Sequence, residues 1–132
     1  MKQLDLSLDY AVFFLFDDDR KDVVFPEISG DLPVYSTQSV IGISAQAYVD
    51  GDVKVILCNH EELNKPEVKE VVESCKFRLQ GKLDCPNATI SLFDAGTNLF
   101  TFKTKKVLPD VKIWSNRDTY SDLILIAVDG EV

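Results

Sequence analysis

Residues 4–16 read LDLSLDYAVFFLF, and this stretch decides the fold class. Its even positions are all apolar or aromatic, whereas the first odd positions are Asp5, Ser7 and Asp9. Alternation with a period of two places successive side chains on opposite faces of a β-strand. The pattern predicts one long strand, whose core-facing residues are Leu4, Leu6, Leu8, Tyr10, Val12 and Phe14.

The far end of this strand is apolar on its other face too, at Ala11, Phe13 and Leu15. Two explanations are open: this end is covered on both sides, or Phe13 belongs to a contact surface. Burial is the commoner reason for such a run, so we expect covering on both faces.

Most of the remaining chain shows the same period. Residues 17–35 are polar and predict an irregular connection, with a short edge strand at 22–25 as one option. A strand at 40–48 is expected to pair with 53–57 through a hairpin at Asp50-Gly51, which is a strong turn signal. Residues 75–83 alternate again, with one face formed by Cys75, Phe77, Leu79, Gly81 and Leu83. Further strands are predicted at 89–94, 99–103, 107–114 and 123–128.

Residues 60–74 differ in character from the rest. Pro66 suits the first turn of a short helix that would bury Val68, Val71 and Val72. The β-branched valines weaken this prediction, and a loop with one or two helical turns is the alternative.

These elements predict a mainly β fold, an antiparallel β-sandwich of about eight strands with at most one short helix. A closely related barrel would show the same pattern. The length of 132 residues, 45% of them hydrophobic, indicates a single domain over residues 1–132.

Negative charge is concentrated in the first half of the chain. Residues 1–74 hold 15 acidic and six basic side chains, and the whole chain carries a net charge of −8. The densest group, Asp17, Asp18, Asp19 and Asp22, directly follows the apolar run. Such a surface attracts a basic protein and repels nucleic acid, although a solvated surface is the simpler explanation. We predict that these four residues contact a basic partner, together with Glu61 and Glu62.

The sequence shows no catalytic or metal-binding motif. His60 is the only histidine, and its spacing from Cys58, Cys75 and Cys85 fits no zinc module. Counted from Asp17, the sixth and twelfth positions of a calcium loop hold Asp22 and Ile28 rather than Gly and Glu. We therefore expect no enzyme activity, no cofactor and no metal.

Cysteine content and the N-terminus suggest a compartment. Three cysteines without a C-x-x-C pair favour reduced, unpaired thiols. Asp5 and Asp9 interrupt any apolar signal segment, and no run approaches the roughly 20 residues of a membrane span. These features predict a cytoplasmic protein without a membrane partner.

The order of the strand signatures resembles that of a known family. The opening 6–16 segment is followed by Tyr35 and VIGISA at 40–45, and then by KVIL at 54–57. Later come TISL at 89–92, LFTF at 99–102, LPDVKIW at 108–114 and LIAV at 125–128. This layout resembles the competence protein J family, whose known member inhibits a DNA-entry nuclease. The chain departs from that pattern in a longer segment at 60–74 and a denser acidic cluster.

Charge and resemblance point to one leading function. We expect a small protein that binds and inhibits a nuclease, either as a nuclease inhibitor or as an immunity protein against a toxin. Carboxylates would complement the basic residues of a cleft that holds phosphates. The alternative is a non-inhibitory binding module for a small ligand or a basic protein. Composition and motifs do not indicate an oligomeric state.

Overall fold

The computed structural model describes residues 1–132 and contains ten β-strands and one α-helix. The strands are β1 (Lys2–Leu6), β2 (Val12–Phe16), β3 (Val34–Ser36), β4 (Val40–Ser44), β5 (Val53–Cys58), β6 (Lys76–Lys82), β7 (Thr89–Asp94), β8 (Thr97–Lys103), β9 (Asp110–Ser115) and β10 (Leu123–Val128). The helix α1 spans Pro66–Glu73, and short 3₁₀ turns cover Tyr48–Asp50 and His60–Asn64. No helix has the length and apolar character needed to cross a bilayer.

The strands form two five-stranded sheets. The first sheet has the order β1-β5-β10-β9-β6, and the second has the order β3-β4-β2-β7-β8. A core of 20 buried residues draws side chains from both sheets, which is how a sandwich buries one face of each sheet. All neighbours are antiparallel except β5 and β10, which run parallel. The predicted mainly antiparallel β fold is confirmed, with ten strands rather than about eight.

The opening segment forms two strands rather than one. β1 lies in the first sheet and β2 in the second, so residues 7–11 cross from one sheet to the other. The crossing changes which positions face the core. Leu6 and Leu8 are buried before it, whereas Phe13 and Leu15 are buried after it.

The prediction that Tyr10, Val12 and Phe14 face the core is wrong. Tyr10 is 61% exposed, and Val12 and Phe14 lie on the outer face of β2, where both are partly exposed. The ring of Phe14 meets that of Phe25 edge-on, with centroids 5.2 Å apart. The core covers the inner face of the apolar run, and Phe25, from the long connection that follows β2, packs on part of its outer face.

The prediction of a hairpin at Asp50-Gly51 is also wrong. The flanking strands β4 and β5 belong to different sheets. Gly51 has a φ of 118° and ends the 3₁₀ turn Tyr48–Asp50. The positive φ that favours glycine in a tight hairpin serves here to redirect the chain between sheets.

The helix predicted after residue 60 is confirmed, and Pro66 occupies its first turn. Val68 is buried, and Val71 and Val72 pack beside it on the outer face of the first sheet. This second, smaller core also contains four residues of the sheet: Ile56, Cys58, Leu125 and Ala127.

The other predicted strands agree in place, and all but two of them differ at one or both ends. Those at Thr89–Asp94 and Leu123–Val128 match at both ends. The alternation predicted for 75–83 is interrupted by a bulge between Phe77 and Leu79, which leaves Phe77 51% exposed. No strand forms at 22–25, and the edge of the second sheet is β3 instead.

Candidate functional site

Asp17 stands at the end of β2 and is fully buried. Its carboxylate accepts hydrogen bonds from the Asn87 backbone N–H at 2.7 Å and the Thr89 hydroxyl at 3.1 Å. It also accepts one from the Asp19 N–H at 3.1 Å. Asp17 therefore joins the loop after β2 to the connection before β7, and its carboxylate is not available to a partner. The prediction that Asp17 contacts a partner is revised for that reason.

The other members of the aspartate cluster are exposed. Asp22 lies 2.8 Å from Arg20 Nε, and the same guanidinium reaches Asp84 at 3.1 Å. The hydrogen bond from Arg20 lowers the pKa of Asp22. Arg20 thus offsets part of the negative charge that the cluster presents, and Asp18 and Asp19 remain its exposed carboxylates without an ion pair.

Glu61 and Glu62 are adjacent but differ in environment. Glu61 is exposed, whereas Glu62 is buried and forms a capping box with Asn59. Glu62 lies 2.6 Å from the Met1 amine and 3.1 Å from Lys65 Nζ. Burial opposes ionisation, but hydrogen bonds from Met1, Asn59 and Lys65 lower the pKa of Glu62 to about 2. The expected partner contact therefore rests on Glu61 alone of this pair.

The cysteines are unpaired, and their surroundings do not activate them. Burial raises the pKa of Cys58 to about 11 and that of Cys85 to about 12; it also raises the pKa of Cys75. Because the thiolate is the reactive form, these groups are poor nucleophiles. His60 Nε2 contacts the Asp110 carbonyl oxygen at 3.1 Å. No group of three metal-ligating side chains converges anywhere in the chain.

The end of the sandwich opposite to Asp17 carries candidate site residues that the sequence analysis missed. Three loops, 7–11, 45–52 and 116–122, meet where β2 begins. Four large side chains project from them: Tyr10 is 61%, Tyr48 58%, Val49 72% and Tyr120 51% exposed. We call these four residues the tyrosine face. One sequence signal was available, because each tyrosine lies within two residues of an aspartate in a turn-forming segment.

A cleft of about 230 Å³ opens within this end. Tyr10, Tyr120, Ile28 and Tyr35 contribute to its lining. The Tyr35 hydroxyl accepts hydrogen bonds from the N–H groups of Gly30 and Leu32, which hold the 28–32 segment in place. Six of the eight residues that line the cleft are hydrophobic, so it suits the stem of a long side chain.

No protein-family model matches the chain, and no curated protein matches it significantly. Among solved structures, the chain is similar to ComJ from Bacillus subtilis, an inhibitor of the DNA-degrading activity of NucA. The similarity covers 99% of this chain and 96% of ComJ, with a TM-score of 0.64 and 17% sequence identity. The resemblance to the competence protein J family is thus confirmed at the level of the fold, and this chain has the fold of ComJ.

Proposed function

We propose that this chain binds and inhibits a DNA nuclease. The observation that carries the proposal is the match to ComJ, which spans nearly the whole of both chains. ComJ is itself an inhibitor of a DNA-degrading activity. An inhibitor acts by occupying its target, so it needs a stable surface and no catalytic groups of its own.

The charge of the chain supports this proposal. A nuclease that cleaves DNA must hold phosphates, and Lys and Arg side chains supply most such contacts. A protein with a net charge of −8 is attracted to a basic cleft of that kind and repelled by DNA itself. Binding in or beside the cleft would exclude the substrate.

Of the six residues predicted to contact a partner, only the four exposed ones fit this proposal. Asp18, Asp19, Asp22 and Glu61 are exposed, so they add to the field that draws a basic partner inward. Asp17 and Glu62 instead stabilise the loops that carry them. A cytoplasmic nuclease inhibitor or a toxin-immunity protein would use these residues in the same way.

The alternative of a small-ligand module has less support. The one mainly apolar cleft measures about 230 Å³, below the range of roughly 300–1,000 Å³ that is usual for ligand pockets. A basic protein partner without inhibition would need the same acidic surface, and the activity assay below separates it from a nuclease.

The direct test is a titration of nuclease activity. Purified chain is added to NucA, and in parallel to the nuclease encoded nearest to its own gene, with plasmid DNA as substrate. We expect activity to fall linearly to zero as the chain approaches stoichiometric amounts. A mobility-shift assay with DNA and the chain alone is the control, since sequestered substrate would imitate inhibition. Full activity of both nucleases in excess chain would contradict the proposal.

A further inference from the structure

The four side chains of the tyrosine face are solvent-exposed at one end of the sandwich, and none belongs to either buried core. Its four members come from all three loops, and backbone hydrogen bonds link loop 45–52 to loop 7–11 and to loop 116–122. Single exposed apolar residues are ordinary on protein surfaces, but a cluster of them at one end marks an interaction site. Tyrosine in particular is enriched at the centres of protein interfaces.

Tyr120 adds evidence of a different kind. Its φ is 53°, a left-handed conformation that is unfavourable for a bulky aromatic residue. The other non-glycine residues with positive φ are the small Ala88 and Ala95. Because the Tyr120 side chain is 51% exposed, burial of its ring returns little to the fold. Backbone strain that holds an aromatic ring in solvent is typical of a binding site.

Hydrogen bonds link the three loops to one another in the free chain. Three hydrogen bonds cross between them: Tyr48 N–H to Leu8 O at 2.7 Å, Ala45 N–H to Ala11 O at 3.1 Å and Gln46 N–H to Ser121 O at 3.0 Å. The Tyr120 N–H also donates to Ser44 Oγ at the end of β4, at 2.8 Å. The rings therefore start from anchored backbones, and binding would order little of the chain.

The charge around the tyrosine face identifies its partner. Loop 116–122 carries one basic residue, Arg117, whose guanidinium pairs with Asp122 at 3.2 Å. Segments 7–11, 28–33 and 45–52 contain four exposed aspartates and no Lys or Arg; they are Asp9, Asp31, Asp50 and Asp52. None of these four forms an ion pair. Unpaired carboxylates beside tyrosine rings favour guanidinium and ammonium groups, which gain both ion pairing and cation–π contact.

We propose that the tyrosine face is the surface on which this chain docks onto a protein surface rich in Lys and Arg, with one basic side chain entering the cleft between Tyr10 and Tyr120. The identification of that partner as a DNA nuclease rests on the function proposed above. The acidic cluster at the other end would then contribute only long-range attraction.

The first test uses the nuclease titration with a double variant, Tyr10→Ala with Tyr120→Gly. Glycine accepts the left-handed backbone at position 120, so the fold should be retained, and thermal unfolding checks this. We expect the affinity for the nuclease to fall about a hundredfold, as when two central aromatic residues are removed. The matched control is Val24→Ser with Val107→Ser, which removes two exposed apolar residues at the opposite end. Unchanged inhibition by the tyrosine variant, or equal loss in the control, would overturn the proposal.

A second test does not depend on any nuclease. The ¹⁵N-labelled chain is titrated with an octa-arginine peptide, and backbone amide shifts are followed by NMR. We expect the largest shifts at Tyr10, Tyr48 and Tyr120, and their loss in the double tyrosine variant. Shifts centred on residues 17–22 would reject the tyrosine face even if inhibition were observed. If neither nuclease is inhibited but the peptide binds at the tyrosines, the proposed function fails and the docking surface stands.

Discussion

The carboxylates at the two ends of the sandwich differ in burial and in ion pairing. At the end where β2 finishes, Asp17 is buried and hydrogen-bonded, and Asp22 forms an ion pair with Arg20. At the end where β2 begins, Asp9 and Asp50 are exposed within two residues of a tyrosine, and neither forms an ion pair. The densest acidic run in the sequence thus lies where carboxylates serve the fold. Exposure and ion pairing, rather than the local density of acidic residues, therefore decide which carboxylates can contact a partner.

The largest expected effect tests the structural role of Asp17. Asp17→Ala leaves the Asn87 and Asp19 N–H groups and the Thr89 hydroxyl without their acceptor. We expect the free energy of unfolding to fall by about 3 kcal/mol, because buried donors without partners are costly. Urea denaturation measures the change, and Asp18→Ala, an exposed neighbour, should cost less than about 0.5 kcal/mol. Equal effects of the two variants would remove the distinction between anchoring and exposed carboxylates.

A second test concerns how the stability that Glu62 contributes depends on pH. The pKa of Glu62 is lowered to about 2 in the folded state from an ordinary value of 4.5. A lowered folded-state pKa stabilises the protein above the unfolded pKa, and this stabilisation is lost as pH falls from about 4.5 towards about 2. We expect the loss to be about 2 kcal/mol, reduced from the full value because the ion pairs border solvent.

The matched pair of variants for this test is Glu62→Gln and Glu61→Gln. Unfolding of each is followed by urea titration at neutral and acid pH. The Glu62 variant should lose this part of the acid sensitivity, and the Glu61 variant should keep it. An unchanged acid profile in Glu62→Gln would show that the Met1 and Lys65 contacts do not contribute to stability.

The next test compares the two ends as sources of electrostatic attraction. Replacement of Asp9, Asp50 and Asp52 by Asn should slow association with the nuclease about tenfold at low salt, because these unpaired charges border the docking surface. Replacement of Asp18, Asp19 and Asp22 removes the same formal charge from the other end and should slow it about twofold or threefold. Stopped-flow or biosensor rates at low and high salt measure both. A larger effect of the second variant would move the interface to the residue 17–22 loop.

The smallest effect isolates the strain at Tyr120. Tyr120→Gly should leave the free energy of unfolding unchanged or raise it by up to about 1 kcal/mol, since relief of the left-handed strain offsets the added flexibility of glycine. Tyr10→Ala, at a residue of comparable exposure, should change it by less than about 0.5 kcal/mol. Differential scanning calorimetry resolves such shifts. A clear loss of stability in Tyr120→Gly would mean that the ring stabilises the fold rather than serving a partner.

Local patterns were enough to place several elements. The strands Thr89–Asp94 and Leu123–Val128 follow from their apolar, β-branched composition, and α1 follows from Pro66 and the valine spacing. Each of these predictions depends on residues within one element, so the local sequence is enough to make it. The burial of Asp17 had no such signal, because its hydrogen-bond partners Asn87 and Thr89 lie about 70 residues away along the chain.

The sequence by itself determined the β class, the strand-rich order that resembles the competence protein J family, the short helix and the excess of negative charge. These properties depend on composition and on the period of two, which are local. Only the tertiary structure decided that residues 4–16 divide between two sheets, and that Asp50-Gly51 joins sheets rather than neighbouring strands. It alone also brought Tyr10, Tyr48 and Tyr120 to one end. The physical reason is that a strand's period shows that it has two faces, whereas contacts with distant strands decide which face is buried and which loops meet.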